Sequence, residues 1–309
     1  MAAYLIQRLW QSALVLLAVS VLSFVLIFLS GDPVVALIPL NARQEDVDNI
    51  RRQYNLDQPV LVQYLIFLQK AATGDMGESF KFRTDALGLV LGRLPNTMLL
   101  ACSSMLLSML ISIPVGILAA SYKGRLPDAV SSTVALLGIS MPSFWLGVIL
   151  ILVFAGSLRL LPASGSGTWK HLVLPTITVS AFATGLLIRL VRRSVADALG
   201  QAYVMTARSK GLSERAIAWT HVLRNSAIPV VTVMGLQFGA LLGGSVVVET
   251  VFAWPGVGWL MIQSIEARDL PVIRAAVLIL ALFIVLINLT VDLLYTLIDP
   301  RIKLGARPE

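Results

Sequence analysis

Six long runs of this chain contain no charged residue, and they restrict its possible folds more than any other feature. The runs are residues 9–31, 94–122, 129–158, 172–188, 225–248 and 275–291. Their lengths of about 17–30 residues match the roughly 20 apolar residues that span a bilayer core as a helix. Only 13% of the residues are charged, against about 25% in a soluble domain. A soluble protein with six buried helices of this length would lack a polar shell, so the sequence predicts an all-α integral membrane protein with six spans.

The first run is predicted to be a retained membrane helix. Its apolar stretch is longer than the roughly 7–15 residues of a signal-peptide core, and no A-x-A cleavage site follows it. Cys102 is the only cysteine, which leaves neither a disulfide framework nor a thiolate metal site.

The net charge of +7 is explained by membrane topology, and no nucleic-acid partner is expected. With six spans and the N-terminus inside, 13 Lys and Arg residues fall inside and 11 outside. The first outer loop offsets its basic residues with eight acidic ones, whereas residues 189–224 carry seven basic and two acidic residues. Because basic loops stay cytoplasmic, both termini are predicted to be cytoplasmic.

Four regions are predicted along the chain. They are residues 1–30 with the first span, an outer subdomain at 31–95, a transmembrane core at 96–298 with an inner loop at 200–226, and a cytoplasmic tail at 299–309. In the outer subdomain, helical spacing predicts an apolar face made of Leu56, Val60, Leu61, Tyr64, Leu65 and Leu68. Pro142 in the third span predicts a kink.

The inner stretch from Tyr203 to Pro229 is unusually basic for this chain and is predicted to form two short helices around a break. Gly211 can adopt the left-handed conformation that often ends a helix. Ser213 suits the N-cap of the second helix, at about 214–224, and Glu214 suits its positive end. Composition alone also allows a simpler interpretation, in which this loop only enforces topology.

The order of residues in this stretch resembles the EAA loop of ABC transporter permeases, in the form found in the dipeptide, oligopeptide and nickel branch. That branch shows a tyrosine, then T-A-R-x-K-G, then H-x-L-R-N and a proline. The matching positions are Tyr203, Thr206, Ala207, Arg208, Lys210, Gly211, His221, Leu223, Arg224, Asn225 and Pro229. "MTA" replaces the literal E-A-A and "HVLR" replaces the wider family's I-x-L-P, and both departures are typical of the branch.

The resemblance extends over the whole chain. "SGDPV", "YNLDQPVLVQY" and "GDMGESF" are similar to the outer domain of the branch, and "FAWPGVGWLM" and "NLTVDLLYTLIDPRI" to its later segments. The long outer domain indicates the B-type member of the usual permease pair. The resemblance therefore implies the MetI-like fold of type I ABC importer permeases, with six transmembrane helices.

The resemblance also implies roles for three sets of residues. The inner loop would be a coupling segment that docks in a groove of an ATPase subunit, through Thr206, Ala207, Arg208, Lys210, Gly211, Leu212, Ser213, Glu214, His221 and Arg224. An outer gate or binding-protein contact would comprise Glu249, Trp254, Pro255, Gly256, Gly258 and Trp259. Pore lining or packing against the partner permease is expected for Met141, Pro142, Gln237, Gly239 and Gly243.

Several of these assignments have alternatives. Glu249 could equally be structural, and the tryptophans of the outer loop could anchor the chain at the membrane interface. Asp292, in the last span, is expected to serve helix packing or a polar contact with the partner permease.

The sequence predicts no enzymatic activity for this chain. It contains no G-x-x-x-x-G-K-[ST] loop for ATP phosphates, and its two histidines, His171 and His221, are predicted on opposite sides of the membrane. No cofactor or metal is expected in the chain, since ATP and magnesium would bind to partner subunits.

The leading hypothesis is the permease subunit of a peptide importer in the bacterial inner membrane. Its expected partners are a second, homologous permease, two ATPase subunits, an external binding protein and the lipid bilayer. Glutathione, nickel chelates and opines remain alternative substrates. An ion-coupled carrier would need carboxylates in mid-membrane, which the sequence lacks, and a membrane protein of assembly or signalling is a further rival.

Overall fold

The computed structural model describes residues 2–29, 44–53, 57–213, 216–217 and 223–298. Within these ranges the chain is helical, and β structure is limited to an antiparallel bridge between Glu78 and Asp85. The helices are α1 (Ala2–Leu29), α2 (Gln44–Gln53), α3 (Val60–Ala72), α4 (Ala86–Ser121), α5 (Leu126–Ser140), α6 (Ser143–Leu150) with its π-helical continuation Ile151–Ser157, α7 (Trp169–Leu199), α8 (Ala202–Ser209), α9 (Leu223–Val251), α10 (Val257–Glu266) and α11 (Leu270–Ile298).

Five of the described helices are long and apolar enough to cross a membrane: α1, α4, α7, α9 and α11. The pair formed by α5 and α6 with its π-helical continuation also qualifies, and it gives a sixth span if the pair crosses as one. These helices match the six charge-free runs of the sequence. The bounds differ mainly at α4, which begins at Ala86, about ten residues before the predicted start.

The break between α5 and α6 is sharper than the predicted kink. The two helices meet at 105°, and the backbone is extended at Met141 (φ −79°, ψ 126°) and Pro142 (φ −60°, ψ 132°). Proline supplies no backbone N–H and disfavours helical conformation in the residue before it. The helix therefore stops at Ser140 and begins again at Ser143.

The chain divides into two compact units, and the first comprises residues 1–97 and 255–285. In this unit α3 packs on α1: the hydroxyls of Tyr64 and Ser20 are 2.8 Å apart, and the Phe24 ring lies 5.4 Å from the Tyr64 ring. The Arg274 guanidinium stacks 5.0 Å from the Phe24 ring and 5.3 Å from the Phe67 ring. These aromatic contacts place one face of α3 inward.

The apolar face predicted for α3 overlaps only partly with the face that contacts α1 and Arg274 in the structure. Tyr64 and Phe67 make the contacts with α1 and Arg274, whereas Val60, Leu61 and Leu65 are exposed within this unit. The contacting pair is offset around the helix from Leu61 and Leu65. Leu56 lies outside the described residues.

A buried carboxylate ties two loops of the first unit together. Asp269, at the start of α11, is fully buried and accepts hydrogen bonds from the Ser79 hydroxyl and from the backbone N–H groups of Phe80 (3.0 Å) and Lys81 (3.2 Å). Several donors on one carboxylate offset the cost of burying its charge. This contact holds the loop before α4 against the start of α11.

The second unit comprises residues 98–254 and 286–309, and hydroxyl groups link α4 to α7 within it. Ser104 donates to the Thr176 carbonyl at 3.4 Å, Ser108 donates to the Ser180 carbonyl at 3.2 Å, and Thr184 donates to the Ser108 hydroxyl at 3.2 Å. Such bonds between membrane helices contribute about 0.6 kcal/mol each.

Small residues bring α5 and α7 close together in the same unit. A Cβ on Gly138 would lie 2.7 Å from the Ala181 carbonyl oxygen, and a Cβ on Gly185 would clash with the Ala135 carbonyl oxygen. Glycine lets the two backbones approach directly, as in small-residue membrane interfaces. Around this contact a core of buried residues runs along α7, including Leu174, Leu187 and Val191.

Candidate functional site

The predicted coupling segment begins with α8, and a glycine ends this helix, as the sequence indicates. Gly211 has φ +77°. Its N–H donates to the Arg208 carbonyl at 2.9 Å, and the Leu212 N–H donates to the Ala207 carbonyl at 3.3 Å. This pair of bonds is a Schellman motif, so the prediction of positive φ at Gly211 is confirmed.

The N-cap predicted at Ser213 is also present. The Ser213 hydroxyl accepts a hydrogen bond from the Ala216 N–H at 3.3 Å, and its carbonyl accepts one from the Ile217 N–H at 2.9 Å. Glu214 and His221 lie outside the described residues, as does most of the predicted helix at 214–224. Arg224 lies in the first turn of α9.

One face of the segment is packed into the second unit. Val204 and Ile217 are fully buried and Ala207 is 7% exposed, all in the same core as Val195 of α7. Ala207 therefore supports the segment from inside rather than presenting a surface.

The other face of the segment is exposed. Met205 is 72% exposed and Leu212 is 41% exposed, next to the exposed residues Arg208 and Lys210. Thr206 and Ser213 also lie on this side. Large apolar groups beside basic ones form a surface suited to a protein partner.

An ion pair fixes the end of α7 that leads into the coupling segment. The Arg192 guanidinium donates to both carboxylate oxygens of Asp128, from Nη2 at 2.9 Å and from Nε. The Gly124 N–H donates to the same carboxylate at 2.9 Å. A two-point guanidinium–carboxylate contact fixes orientation as well as distance, so α7 is tied to the first turn of α5.

The expected pore residues Met141 and Gln237 lie together at a cavity of about 270 Å³ in the second unit. Its lining comes from the α5–α6 break and α6 (Met141, Ser143, Leu146), from α7 (Thr178, Val179, Ala181, Phe182) and from α9 (Gln237, Ala240, Leu241, Gly244, Val248). Pro142 is exposed beside it. Gly239 is buried and Gly243 is exposed, and neither lines the cavity.

The expected outer-gate residues fall in two groups. In the second unit Glu249 is fully buried, and it accepts a hydrogen bond from the Ser245 hydroxyl at 3.2 Å. Trp254 is 4% exposed, and its backbone N–H donates to the Glu249 carbonyl at 2.8 Å. Both residues are therefore held within the core of this unit.

The remaining outer-gate residues belong to the first unit. The stretch from Trp254 to Trp259 was expected to be a loop, but α10 begins at Val257, so Gly258 and Trp259 are helical. Gly256 is the N-cap, and its carbonyl accepts the Leu260 N–H at 3.2 Å. The Pro255 carbonyl accepts the Asn96 amide at 2.9 Å, which fixes the turn before the helix.

Comparison with known proteins identifies the family. Residues 112–304 match the family described as "Binding-protein-dependent transport system inner membrane component", and residues 1–101 match the family of its N-terminal part. The chain belongs to this family. It is therefore a multi-pass permease subunit of an ABC importer, as the resemblance of its sequence implied.

Curated relatives of this permease cover almost its whole length. The "Glutathione transport system permease protein GsiC" of Escherichia coli K12 is 42% identical over 304 residues, which cover 98% of this chain and 99% of the relative. The protein of the same name from Shigella flexneri serotype 5b has the same identity and coverage.

Solved structures confirm the fold class of this permease. A chain of the MetNI methionine ABC transporter in an inward-facing conformation matches with a TM-score of 0.59 and 17% identity, covering 68% of this chain and 96% of that one. A chain of an amino acid ABC transporter matches with a TM-score of 0.51 and 17% identity, covering 70% and 94%. The prediction of an all-α ABC importer permease fold is confirmed.

Two contacts of this permease were not predicted from its sequence. The first is the ion pair between Arg192 and Asp128. The signal for this pair was an aspartate in the first turn of a span, three residues after Arg125, the N-cap of α5. The second is the contact between Asp269 and the loop at Ser79. No local sequence pattern indicated it, because the two residues are 190 positions apart in the chain.

Proposed function

We propose that this permease imports small peptides, glutathione among them, in a complex with a second permease, two ATPase subunits and an external binding protein. The observation that supports this most is its 42% identity, over 98% of the chain, to the permease of a glutathione transport system. Glutathione is itself a tripeptide, so this relative favours the peptide class over nickel chelates and opines.

The coupling role rests on the geometry of α8 and Gly211. Val204 and Ala207 anchor α8 in the core, a Schellman motif ends the helix, and a capped turn follows it. The exposed face of α8 is therefore held in a defined position. Met205, Leu212 and Lys210 on that face would meet the groove of an ATPase subunit. Displacement of the ATPase would then reach α7 through Ala202, which follows α7 after only two residues.

ATP and magnesium would be held by the ATPase partners. The permease sequence has no phosphate-binding loop of the G-x-x-x-x-G-K-[ST] type. Among the described residues no group of three His, Cys, Asp or Glu side chains lies close enough together to hold a metal ion. The permease would contribute the pathway, and its inner loops would face the cytoplasm together with both termini.

Activity measurements on purified components test this division of labour. The permease alone should hydrolyse no ATP, whereas the complete complex with loaded binding protein should hydrolyse ATP at a stimulated rate. ATP turnover by the isolated permease that survives removal of all ATPase subunits, and that a mutation in this chain abolishes, would contradict the proposal.

Titration calorimetry on the cognate binding protein tests the substrate. Glutathione, a dipeptide, an oligopeptide, a nickel chelate and an opine are compared, and each bound compound is then offered to the reconstituted complex as labelled substrate. Binding and uptake of glutathione or another peptide are expected. Exclusive binding and uptake of the nickel chelate or the opine would refute the peptide class while leaving the importer role intact.

A further inference from the structure

The cavity at the α5–α6 break has walls without charge. Of its lining residues, Leu146, Val179 and Leu241 present aliphatic side chains, and none is Asp, Glu, Lys, Arg or His. Such walls cannot neutralise the charged ends of a peptide or a phosphate, because a buried charge needs a partner. The cavity therefore suits an uncharged part of a ligand.

Gln237 is the only amide side chain at this cavity. It is half-buried, and within the described ranges its amide is not satisfied by a hydrogen bond to the protein. A glutamine amide has both donors and an acceptor, so it can pair with the N–H or C=O of a peptide group. The nearby Thr178 hydroxyl already donates to the Leu174 carbonyl at 2.8 Å. The donors left at the cavity are the two amide N–H groups of Gln237 and the hydroxyl of Ser143.

The size of the cavity limits what enters it. Pockets for whole small-molecule ligands are roughly 300–1,000 Å³, and this one is about 270 Å³. A single residue of a peptide fits such a volume more readily than a whole oligopeptide. A lipid tail or an apolar side chain of a partner helix would also fill it, but either would leave the Gln237 amide facing hydrocarbon without a hydrogen bond, which costs free energy.

We infer that this cavity is a selectivity site for one uncharged residue of the transported peptide. The aliphatic walls receive the side chain, and the Gln237 amide pairs with the peptide group beside it. The inference rests on the proposed function and adds a property to it: the permease discriminates among the peptides that the binding protein delivers.

Uptake by the complete transporter in proteoliposomes tests the inference. Triglycine and trileucine are supplied with the same binding protein, and kcat/KM is measured for each. Because trileucine has the same side chain at every position, the comparison does not depend on which residue enters the cavity. The binding protein is common to all permease variants, so its own preference cancels when variants are compared with wild type.

Two variants alter the cavity, and two serve as matched controls. Ala240→Leu adds three carbons to the lining and should lower the trileucine-to-triglycine ratio of kcat/KM by about tenfold, since one to a few methylene groups change discrimination by about 10–200-fold. Gln237→Leu should lower kcat/KM for both peptides by about tenfold, because the peptide group loses its partner. Ala72→Leu and Gln69→Leu, both exposed on α3, make the same changes away from the cavity and should leave both values within about twofold of wild type.

The outcomes separate the explanations. An unchanged trileucine-to-triglycine ratio in Ala240→Leu refutes the selectivity site. A tenfold fall of this ratio in the Ala72→Leu control refutes it as well. Occupancy by a lipid or a partner helix predicts that Gln237→Leu raises the thermal stability of the complex and leaves both uptake values intact, which also refutes the inference. A wild-type complex that imports no peptide, but does import a nickel chelate or an opine, overturns the proposed function itself.

Discussion

Single glycines in this permease have distinct physical tasks, and their surroundings tell them apart. Gly211 has a positive φ, and nothing lies within 4 Å of the position that a Cβ would occupy there, whereas Gly185 lies in a helix against the Ala135 carbonyl. At Gly211 there is room for a side chain, but the positive φ strains any residue that has a Cβ, and a β-branched residue most of all. At Gly185 the helical backbone would suit other residues, but the Ala135 carbonyl leaves no room for a Cβ.

Gly211→Val should impair coupling without preventing insertion. A β-branched residue at φ +77° is strained by about 1–2 kcal/mol, so the Schellman motif at the end of α8 should open and displace Leu212. We expect a normal level in the membrane by immunoblotting, with uptake and stimulated ATPase activity falling together by about tenfold, the ratio equivalent to about 1.4 kcal/mol.

Gly167→Val is the matched control, since Gly167 has φ +119° and nothing within 4 Å of its Cβ position, and it lies outside the coupling segment. It imposes similar backbone strain and should leave both uptake and stimulated ATPase activity within about twofold of wild type. Normal transport by Gly211→Val would show that coupling does not depend on this break. Loss of the variant from the membrane would instead assign the glycine to folding.

Gly185→Ala should destabilise the second unit, and Gly243→Ala should not. Both changes replace a helical glycine, so the gain in helix propensity, up to about 1 kcal/mol, largely cancels between them. The added methyl at Gly185 meets a backbone oxygen, and that at Gly243 meets nothing within 4 Å. Overpacking costs about 1–3 kcal/mol, so a clear difference in Tm is expected by fluorescence-detected gel filtration after heating. Equal melting temperatures would mean that α5 and α7 can separate at no cost.

Local chemistry explains which of these residues could be predicted. The cap at Ser213 and the turn at Gly211 depend on neighbours within four or five positions, and the sequence indicated both. The role of Gly185 depends on a helix about 50 residues away in the chain, and Glu214 and His221 lie outside the described residues. Sequence spacing cannot show which of several membrane glycines meets another backbone.

At the scale of elements, the Asp128–Arg192 pair joins the first turn of α5 to α7, and Arg192 lies eight residues before the start of the predicted inner loop at 200–226. Arg192→Gln leaves the Asp128 carboxylate with the Gly124 N–H but without its guanidinium, and Asp128→Asn removes the charge that orients Arg192. Each single change should lower the Tm of the purified permease by a few degrees, because it leaves one member of the pair without its charged partner. Stimulated ATPase activity should fall as well.

Exchange of the two charges separates an ion pair from a packing role. The double variant Asp128→Arg with Arg192→Asp restores opposite charges and should recover part of the lost stability, as expected for residues in direct contact. Arg193→Gln is the matched control, because Arg193 is exposed on the same turn of α7. Additive effects in the double variant would contradict the proposed coupling between these side chains.

The break at Pro142 shows how far an element can be predicted. The residue that interrupts the helix follows from proline chemistry, and the sequence placed it correctly. The angle of 105° and the cavity that the break borders depend on how α6 packs against α7 and α9. Gln237 was predicted to line the pore or to pack against the partner permease, but its place at one cavity with Met141 could be known only from the fold.

At the scale of the whole molecule, the charge pattern predicts which side of the membrane each loop faces. Residues 189–224 carry seven basic residues and follow a span closely, so the positive-inside rule predicts that they are cytoplasmic. The stretch 31–95 also has seven basic residues, but it is longer than the roughly 60 residues over which loop charge controls orientation. Its charges therefore do not oppose the predicted topology.

Cysteine labelling in intact cells tests this topology. Cys102 is exposed on α4, so it is first replaced by alanine to give a cysteine-free permease whose uptake is checked. Gln53→Cys, in α2 of the outer stretch, should then react with a membrane-impermeant maleimide in intact cells. Ser213→Cys, exposed beside the Gly211 turn, should react only after permeabilisation, because the segment is predicted to be cytoplasmic and is proposed to meet the ATPase subunits there. Labelling of Ser213→Cys in intact cells, with Gln53→Cys protected, would place the coupling segment outside and remove the physical basis for its contact with an ATPase.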